Sequence, residues 1–195
     1  VNCCRSLGAK VIFAKNSTDA FNLANDISES EKREFIHPFE GKDVISGTAT
    51  LGLEIFNQCA DMDSILVPIG GGGLAAGVSH AIKQSNKNIQ VFGVEPKNAN
   101  TMQISIKKNK VQSDMKINTI ADSLAAPFSL PLSFDYCLNN LDQVVTVRDS
   151  QMRDCIQLIY NQMNLAVEPA CSITTAALLD PLRSKLNGKT IVIIM

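Results

Sequence analysis

The chain has 195 residues, 45% of them apolar, which is enough for one domain or a domain and a half around a buried core. Its 18 Lys and Arg are interspersed with 19 Asp and Glu, so a net charge of −1 provides no field for steering nucleic acid or an anionic membrane surface. A small, chemically recognised ligand is the partner these numbers leave.

The six cysteines, Cys3, Cys4, Cys59, Cys137, Cys155 and Cys171, are scattered apart from one adjacent pair and show no C-x-x-C spacing. They read as reduced thiols of a cytoplasmic protein rather than as a disulfide framework or a zinc site. No signal peptide opens the chain, and no run approaches the roughly 20 apolar residues of a membrane span. The first residues, "VNCCRSLGAKVIFA", begin inside a helical pattern and "GKTIVIIM" stops on a bare strand, so a longer parent protein is expected.

In chain order, "AKVIFA" (9–14) reads as a short buried strand. "STDAFNLANDISESEK" follows as a helix capped by Ser17, Thr18 or Asp19, with Ala20, Leu23, Ala24 and Ile27 on its apolar side. "EFIHPF" is a second strand, "EGKDVISG" a polar loop, and "TATLGLEIFNQCA" (48–60) an amphipathic helix carrying Leu51, Ile55, Phe56 and Cys59. "DSILVPIG" reads as a strand buried on both faces, the segment after the glycines as a helix to about Gln84, and "NIQVFGVEP" as a strand stopped by Pro96.

The pattern between Asn98 and Asp142 is less regular. It holds a helix near "ANTMQISIKKN", a polar loop, the segment "TIADSLAAPFSL" and then a helix through "SFDYCLNNL". "QVVTV" (143–147) is a strand, "RDSQMRDCIQLIYNQMN" a helix capped by Asp149 or Ser150, "SITTAALLDPLRSKL" another helix, and "KTIVIIM" a last strand. Alternating strands and helices of these lengths predict an α/β fold, a parallel sheet in three layers with helices on both faces.

Four consecutive glycines, Gly70 to Gly73, stand between a strand and a helix. Glycines there permit positive φ and remove Cβ, so successive backbone N–H groups can converge on one anion while the helix N-terminus adds its dipole. Phosphate is the natural guest, and two phosphate chemistries compete. Gly71, Gly73 and Ala76 satisfy G-x-G-x-x-A, with Glu95 closing the next strand where a dinucleotide fold places its ribose-binding acid. Against this, Pro68 precedes the turn, Gly70 and Gly72 have no task in a dinucleotide loop, and Pro96 directly follows the acid. A Walker A loop is excluded because no Gly-Lys-Ser/Thr follows. The other reading is a monophosphate surrounded by the N–H groups of Gly70 to Gly73 and Leu74.

"VPIGGGGLAAG" resembles the phosphate loop of the pyridoxal-phosphate (PLP) enzymes of the threonine dehydratase and serine racemase family, fold type II. Matching segments run in the same order along the chain: "HPFEGKDVISGTATLGLEI", "GVEPKNANTM", "TIADSLAAPF", "DQVVTV" and "LAVEPACSITTAALL". The resemblance implies that residues 1–40 are the remainder of a small domain and 41–195 a large PLP-binding domain. It implies that Gly70, Gly71, Gly72, Gly73 and the amide of Leu74 hold the cofactor phosphate. Glu168 would lie near the cofactor ring, and Glu95 with the carbonyl of Ala99 would correspond to ligands of a divalent cation in metal-stimulated members.

Departures accompany the match. Thr101 stands where a third metal-binding carboxylate is expected, "SGTAT" where the family commonly has "GQGT", and Ala121-Asp122-Ser123 where it has "ADG". His37 and His80 read as structural. The lysine that forms the Schiff base lies upstream of the glycine loop in the family, and no lysine here sits in that context, so no catalytic residue is assigned within this chain. The implied function of the parent is a lyase converting serine, threonine or another small hydroxy amino acid to a 2-oxo acid and ammonia, as a homo-oligomer. An amino-acid racemase of the same family, a nicotinamide-dependent oxidoreductase and a non-catalytic truncated paralogue are the alternatives.

Overall fold

The computed structural model describes the backbone of residues 1–195 and every side chain except that of Ser17. The chain divides into two compact units, Val1–His37 and Pro38–Met195.

The first unit holds α1 (Asn2–Ser6) and α2 (Ser17–Glu31). Helix α2 starts where it does because the Asn16 side chain accepts from the N–H of Asp19 at 2.8 Å. The cap expected at 17–19 is therefore corrected to Asn16. The two strands expected at "AKVIFA" and "EFIHPF" are corrected as well, since neither segment has regular structure. Ile12, Phe13 and Ile36 are exposed. A β-branched run forms a strand only when a neighbour takes its ladder of hydrogen bonds, and among the described residues nothing pairs with either segment.

The second unit opens with α3 (Lys42–Gln58), which includes most of the segment expected to be a polar loop. Gly41 at φ +111° turns the chain into the helix, and Asp43 in the first turn complements its dipole. Then come β1 (Ser64–Pro68), α4 (Gly73–Ser85), β2 (Gln90–Pro96), α5 (Thr101–Lys108), a single 3-10 turn at Asp122–Leu124, α6 (Pro131–Asn140), β3 (Gln143–Val147), α7 (Asp149–Met163), α8 (Pro169–Leu179) and β4 (Ile191–Ile193).

Two further expectations are corrected here. Arg148, not Asp149 or Ser150, precedes α7, and its N–H donates to Gln151 Oε1 at 2.9 Å. The Asp149 carboxylate is instead taken by Thr119 Oγ1 at 2.8 Å and the N–H of Ile120 at 3.1 Å. Helix α8 stops at Leu179 rather than running through "DPLRSKL", because Asp180 precedes a proline and is extended (φ −171°, ψ 121°).

The four strands form one parallel sheet in the order β3-β2-β1-β4. Ile65 pairs with Val91 on one side and Val192 on the other. Side chains alternate between two cores. Leu66, Phe92, Val94, Val145 and Val147 pack with Met152 and Cys155 of α7 and Ile173 and Ala177 of α8. Ile65, Val67 and Val91 face Ile45 of α3, Ala75, Val78 and Ile82 of α4, Met102 of α5 and Phe134 and Cys137 of α6. This is the expected three-layer α/β architecture. No helix among the described residues is long and apolar enough to cross a membrane.

From β1 the chain steps outward to β2 and β3, then returns across the sheet to β4 on the other side of β1. The carboxyl end of β1 is therefore a topological switch point, where open α/β sheets leave a crevice. The glycine cluster lies there.

Candidate functional site

Gly70, Gly71 and Gly72 leave β1, and α4 begins at Gly73. Gly72 is in the left-handed region, φ +101° and ψ −13°, and α4 has no side-chain cap. The first N–H groups of any helix lack an intrahelical acceptor. Here the deficit extends backward into the loop: the first N–H with an acceptor is that of Ala76, bonded to Gly72 O at 2.8 Å. Among the described residues, the N–H groups of Gly70, Gly71, Gly72, Gly73 and Leu74 have none. A left-handed residue within a run of free amides makes the concave donor surface that favours an anion, and the dipole of α4 acts in the same sense.

The glycines are required by what surrounds them. A Cβ on Gly71 would collide with the Phe39 ring, and one on Gly73 would lie 2.5 Å from Phe39 O and 2.8 Å from its Cα. On Gly72 it would lie 2.6 Å from Met102 Cε and 3.3 Å from Ser133 Cβ. On Gly70 it would come to 3.1 Å from Ser123 O. Two side chains hold the loop's carbonyls. The Cys137 thiol lies 3.7 Å from Gly72 O and donates to it, and Thr48 Oγ1 is 3.0 Å from Gly73 O while its one proton is shared with Val44 O at 3.0 Å and Ile45 O at 3.1 Å. Thr48 belongs to the "SGTAT" segment, which thus contributes a brace to the start of α4.

Gly70 to Leu74 line a cavity of about 250 Å³ together with Pro38, Phe39, Pro68, Ser123 and Leu124. Ser123 Oγ donates to Glu168 Oε1 at 3.0 Å, so Glu168, the residue just before α8, is linked to the cavity wall. The structure thus places the glycines, Leu74, Ser123 and Leu124 around one cavity, with Glu168 bonded to Ser123.

Glu95 and Ala99 lie elsewhere, buried beneath α5. Glu95 is 0% exposed, and its two oxygens accept from the N–H groups of Met102 and Gln103, each at 2.8 Å. Burial pushes its carboxyl up to about 8, against the opposing pull of those two bonds. Thr101 donates to Ala126 O at 2.8 Å. Among the described residues no group of three or more His, Cys, Asp or Glu side chains is arranged to hold a metal ion. His37 stacks on Phe21 at 5.0 Å and His80 meets Tyr136 edge-on at 4.9 Å, both packing roles.

Sequence reasoning missed Phe39 and Glu40. Phe39 fills the space that Gly71 and Gly73 vacate, and the Glu40 carboxylate accepts from Leu132 N at 2.8 Å, Ser133 N at 3.0 Å and Ser133 Oγ at 2.6 Å. The available signal was "HPFE", a bulky ring and an acid just before Gly41, but nothing local says that it meets the glycines.

A sheet order of 3-2-1-4 is shared by dinucleotide folds, so topology alone does not choose between the two phosphate chemistries. Comparison with known proteins does. The chain is 42% identical over 195 residues to a phenylserine dehydratase of Ralstonia pickettii, covering 100% of this chain and 60% of that protein. It is 35% identical over 192 residues to an L-threonine ammonia-lyase of Thermotoga maritima, covering 98% of this chain and 47% of that protein. Among solved structures, maize serine racemase superposes with a TM-score of 0.90 at 31% identity over 97% of this chain and 59% of its own. Threonine deaminase isoform 2 of Solanum lycopersicum gives 0.93 at 29% identity over 99% of this chain and 57% of its own. The chain thus spans about half to three-fifths of the length of these relatives. With its pattern matched along residues 1–195 and its fold shared with these enzymes, the chain belongs to the family of pyridoxal-phosphate dependent enzymes.

Proposed function

We propose that the protein carrying this chain is a PLP-dependent ammonia-lyase that converts a hydroxy amino acid, of the serine, threonine or phenylserine type, to a 2-oxo acid and ammonia. The observation that carries this reading is the run of acceptor-free N–H groups from Gly70 to Leu74 at the switch point, in a chain 42% identical to a phenylserine dehydratase.

The residues present fit the cofactor's phosphate. Five successive amides, a left-handed Gly72 and the positive end of α4 suit a compact dianion. Bound there, the cofactor would supply an electron sink for the carbanion left when the substrate's Cα proton is removed. This chain's residues do the holding. Gly70 to Gly73 and Leu74 would hold and orient the phosphate, Phe39, Pro68 and Leu124 would exclude water from one wall, and Ser123 Oγ donates to Glu168 Oε1.

Residues 1–40 as part of a small domain and 41–195 as the large cofactor-binding domain complete the reading. The six free thiols support a cytoplasmic location, and exposed Leu158, Tyr160, Met163 and Leu165 supply apolar surface for a homo-oligomer. A divalent cation at Glu95 and Ala99 has weaker support, because both Glu95 oxygens already accept backbone N–H groups.

Racemisation is the second reading, favoured by the TM-score of 0.90 to maize serine racemase. One experiment separates them. The full reading frame is expressed, examined for the visible absorption of lysine-bound PLP, and incubated with L-serine, L-threonine and phenylserine. Formation of 2-oxo acid and ammonia supports the lyase, accumulation of the D-amino acid supports the racemase, and a colourless protein that does not bind PLP overturns both.

A further inference from the structure

Four consecutive glycines form the least self-supporting loop a chain can make, since each loses more backbone freedom on ordering than any other residue. The amides of this loop have no protein acceptors to hold them. Its conformation must be imposed from outside, and a binding loop works best when its shape is fixed before the ligand arrives.

Two bodies grip it. On one side lies Phe39, its ring against Gly71 and its backbone against Gly73. On the other lies α6, with Ser133 and Cys137 against Gly72 and the Cys137 thiol bonded to Gly72 O. Helix α6 has no cap from its own flank; Pro131 is at its start. Its first donors are taken by the carboxylate of Glu40, the residue next to Phe39, in three bonds of 2.8, 3.0 and 2.6 Å. Bonds from amides and a hydroxyl to a carboxylate at a helix N-terminus are charge-assisted and among the stronger ones available. Phe39 also meets Phe128 with ring centroids 5.7 Å apart, so the strap is packed as well as bonded.

We propose that Glu40 is a positioning residue for the anion loop. By fastening the Phe39 strap to the start of α6 it closes a clamp around Gly70 to Gly73 and keeps their N–H groups converged. This rests on the reading that the loop holds the PLP phosphate, and it deepens it by naming what gives the loop its shape.

The test uses the protein expressed from its full reading frame, as wild type, E40A, E40Q and F39A. PLP affinity is measured by fluorescence titration, inorganic phosphate affinity of the cofactor-free protein by phosphorus NMR, and Tm alongside. E40A should weaken both ligands about tenfold, the scale of losing a hydrogen bond to a charged group. E40Q, which retains one acceptor oxygen, should recover part of that loss, and F39A should reproduce it while leaving the Glu40 cap in place. A lower Tm with wild-type affinity for both ligands in E40A would reduce Glu40 to a helix cap and overturn the proposal. If E40A does not fold, unchanged affinity in F39A does the same. A wild-type protein that binds neither ligand overturns the cofactor reading itself, an outcome distinguishable from variants that bind as well as wild type.

Discussion

Gly71 is the residue at which sequence, packing and chemistry meet. Its missing Cβ would occupy the Phe39 ring, and its N–H is one of the six from Gly70 to Ala75 that, among the described residues, have no acceptor. Any side chain there must displace either the ring or the loop. We expect Gly71→Ala to weaken PLP binding at least about tenfold in a fluorescence titration. Combining it with Phe39→Leu should return part of the loss, because the two changes share one contact and contacting residues are not additive. Strict additivity in that cycle would show that Phe39 is not what Gly71 accommodates. Ser123 makes a different kind of prediction. Both it and Glu168 are exposed, so breaking their 3.0 Å bond should change stability by no more than about 0.5 kcal/mol. Since Ser123 also lines the cavity, Ser123→Ala should alter the ratio of kcat/KM between serine and phenylserine with little change in Tm. Equal ratios in the two proteins would remove Ser123 from the substrate's surroundings.

At the scale of elements, the parts that were legible in the sequence are those whose burial is decided locally. "ILVP" is an unbroken apolar run and, with Ser64 before it, became β1, whose first four residues are buried. Of "NIQVFGVEP", read as a strand, Gln90–Pro96 became β2. The failures are equally specific. "AKVIFA" has the composition of a strand, yet strand identity belongs to a pair of segments, and its partner cannot be read from its own residues. "EGKDVISG" looked like a loop because Gly and Lys suggest polarity, whereas Gly41 is a helix entry at φ +111°. At the site, the glycines were legible because their requirement is a backbone one, while Glu40 was not, since its partners Leu132 and Ser133 are distant in the chain. Glu95 was legible as an acid at a strand end but not as the tertiary cap of α5. Its role yields a pH prediction. Burial raises the folded carboxyl to about 8 from an ordinary 4.5, so the folded state holds its proton more tightly than the unfolded one. This contribution to stability is therefore complete below about 4.5 and is lost as pH rises to about 8. Urea unfolding of the wild type between pH 5 and 8 should show a steeper decline than Glu95→Gln, which has no proton to release. At pH 4.5, before that decline sets in, Glu95→Ala should cost about 1 to 2 kcal/mol by uncapping α5. Parallel pH profiles of wild type and Glu95→Gln would mean that the carboxylate is already ionised throughout.

For the whole molecule, the sheet order β3-β2-β1-β4 locates a ligand crevice but leaves its occupant open, because dinucleotide folds share that order. The loop differs in kind. A dinucleotide loop needs its glycines spaced so that a pyrophosphate can pass along the helix start, and an acid beyond the second strand to meet a ribose. Here that acid, Glu95, is 0% exposed and turned under α5, where it cannot reach a ribose in the crevice. The unspaced Gly70 to Gly73 instead leave consecutive amides without protein acceptors, the pattern a single phosphate would suit. Ligands that bind only the folded state stabilise it by about 2.7 kcal/mol at a hundredfold excess over Kd. At about 2 to 4 °C per kcal/mol for a chain of this size, PLP at that excess should raise Tm by roughly 5 to 10 °C. Inorganic phosphate should give a smaller shift in the same direction, while NAD at equal concentration should give none beyond that of its buffer. A larger shift with NAD than with PLP would reverse the assignment, since it would require the ribose contact that the position of Glu95 denies.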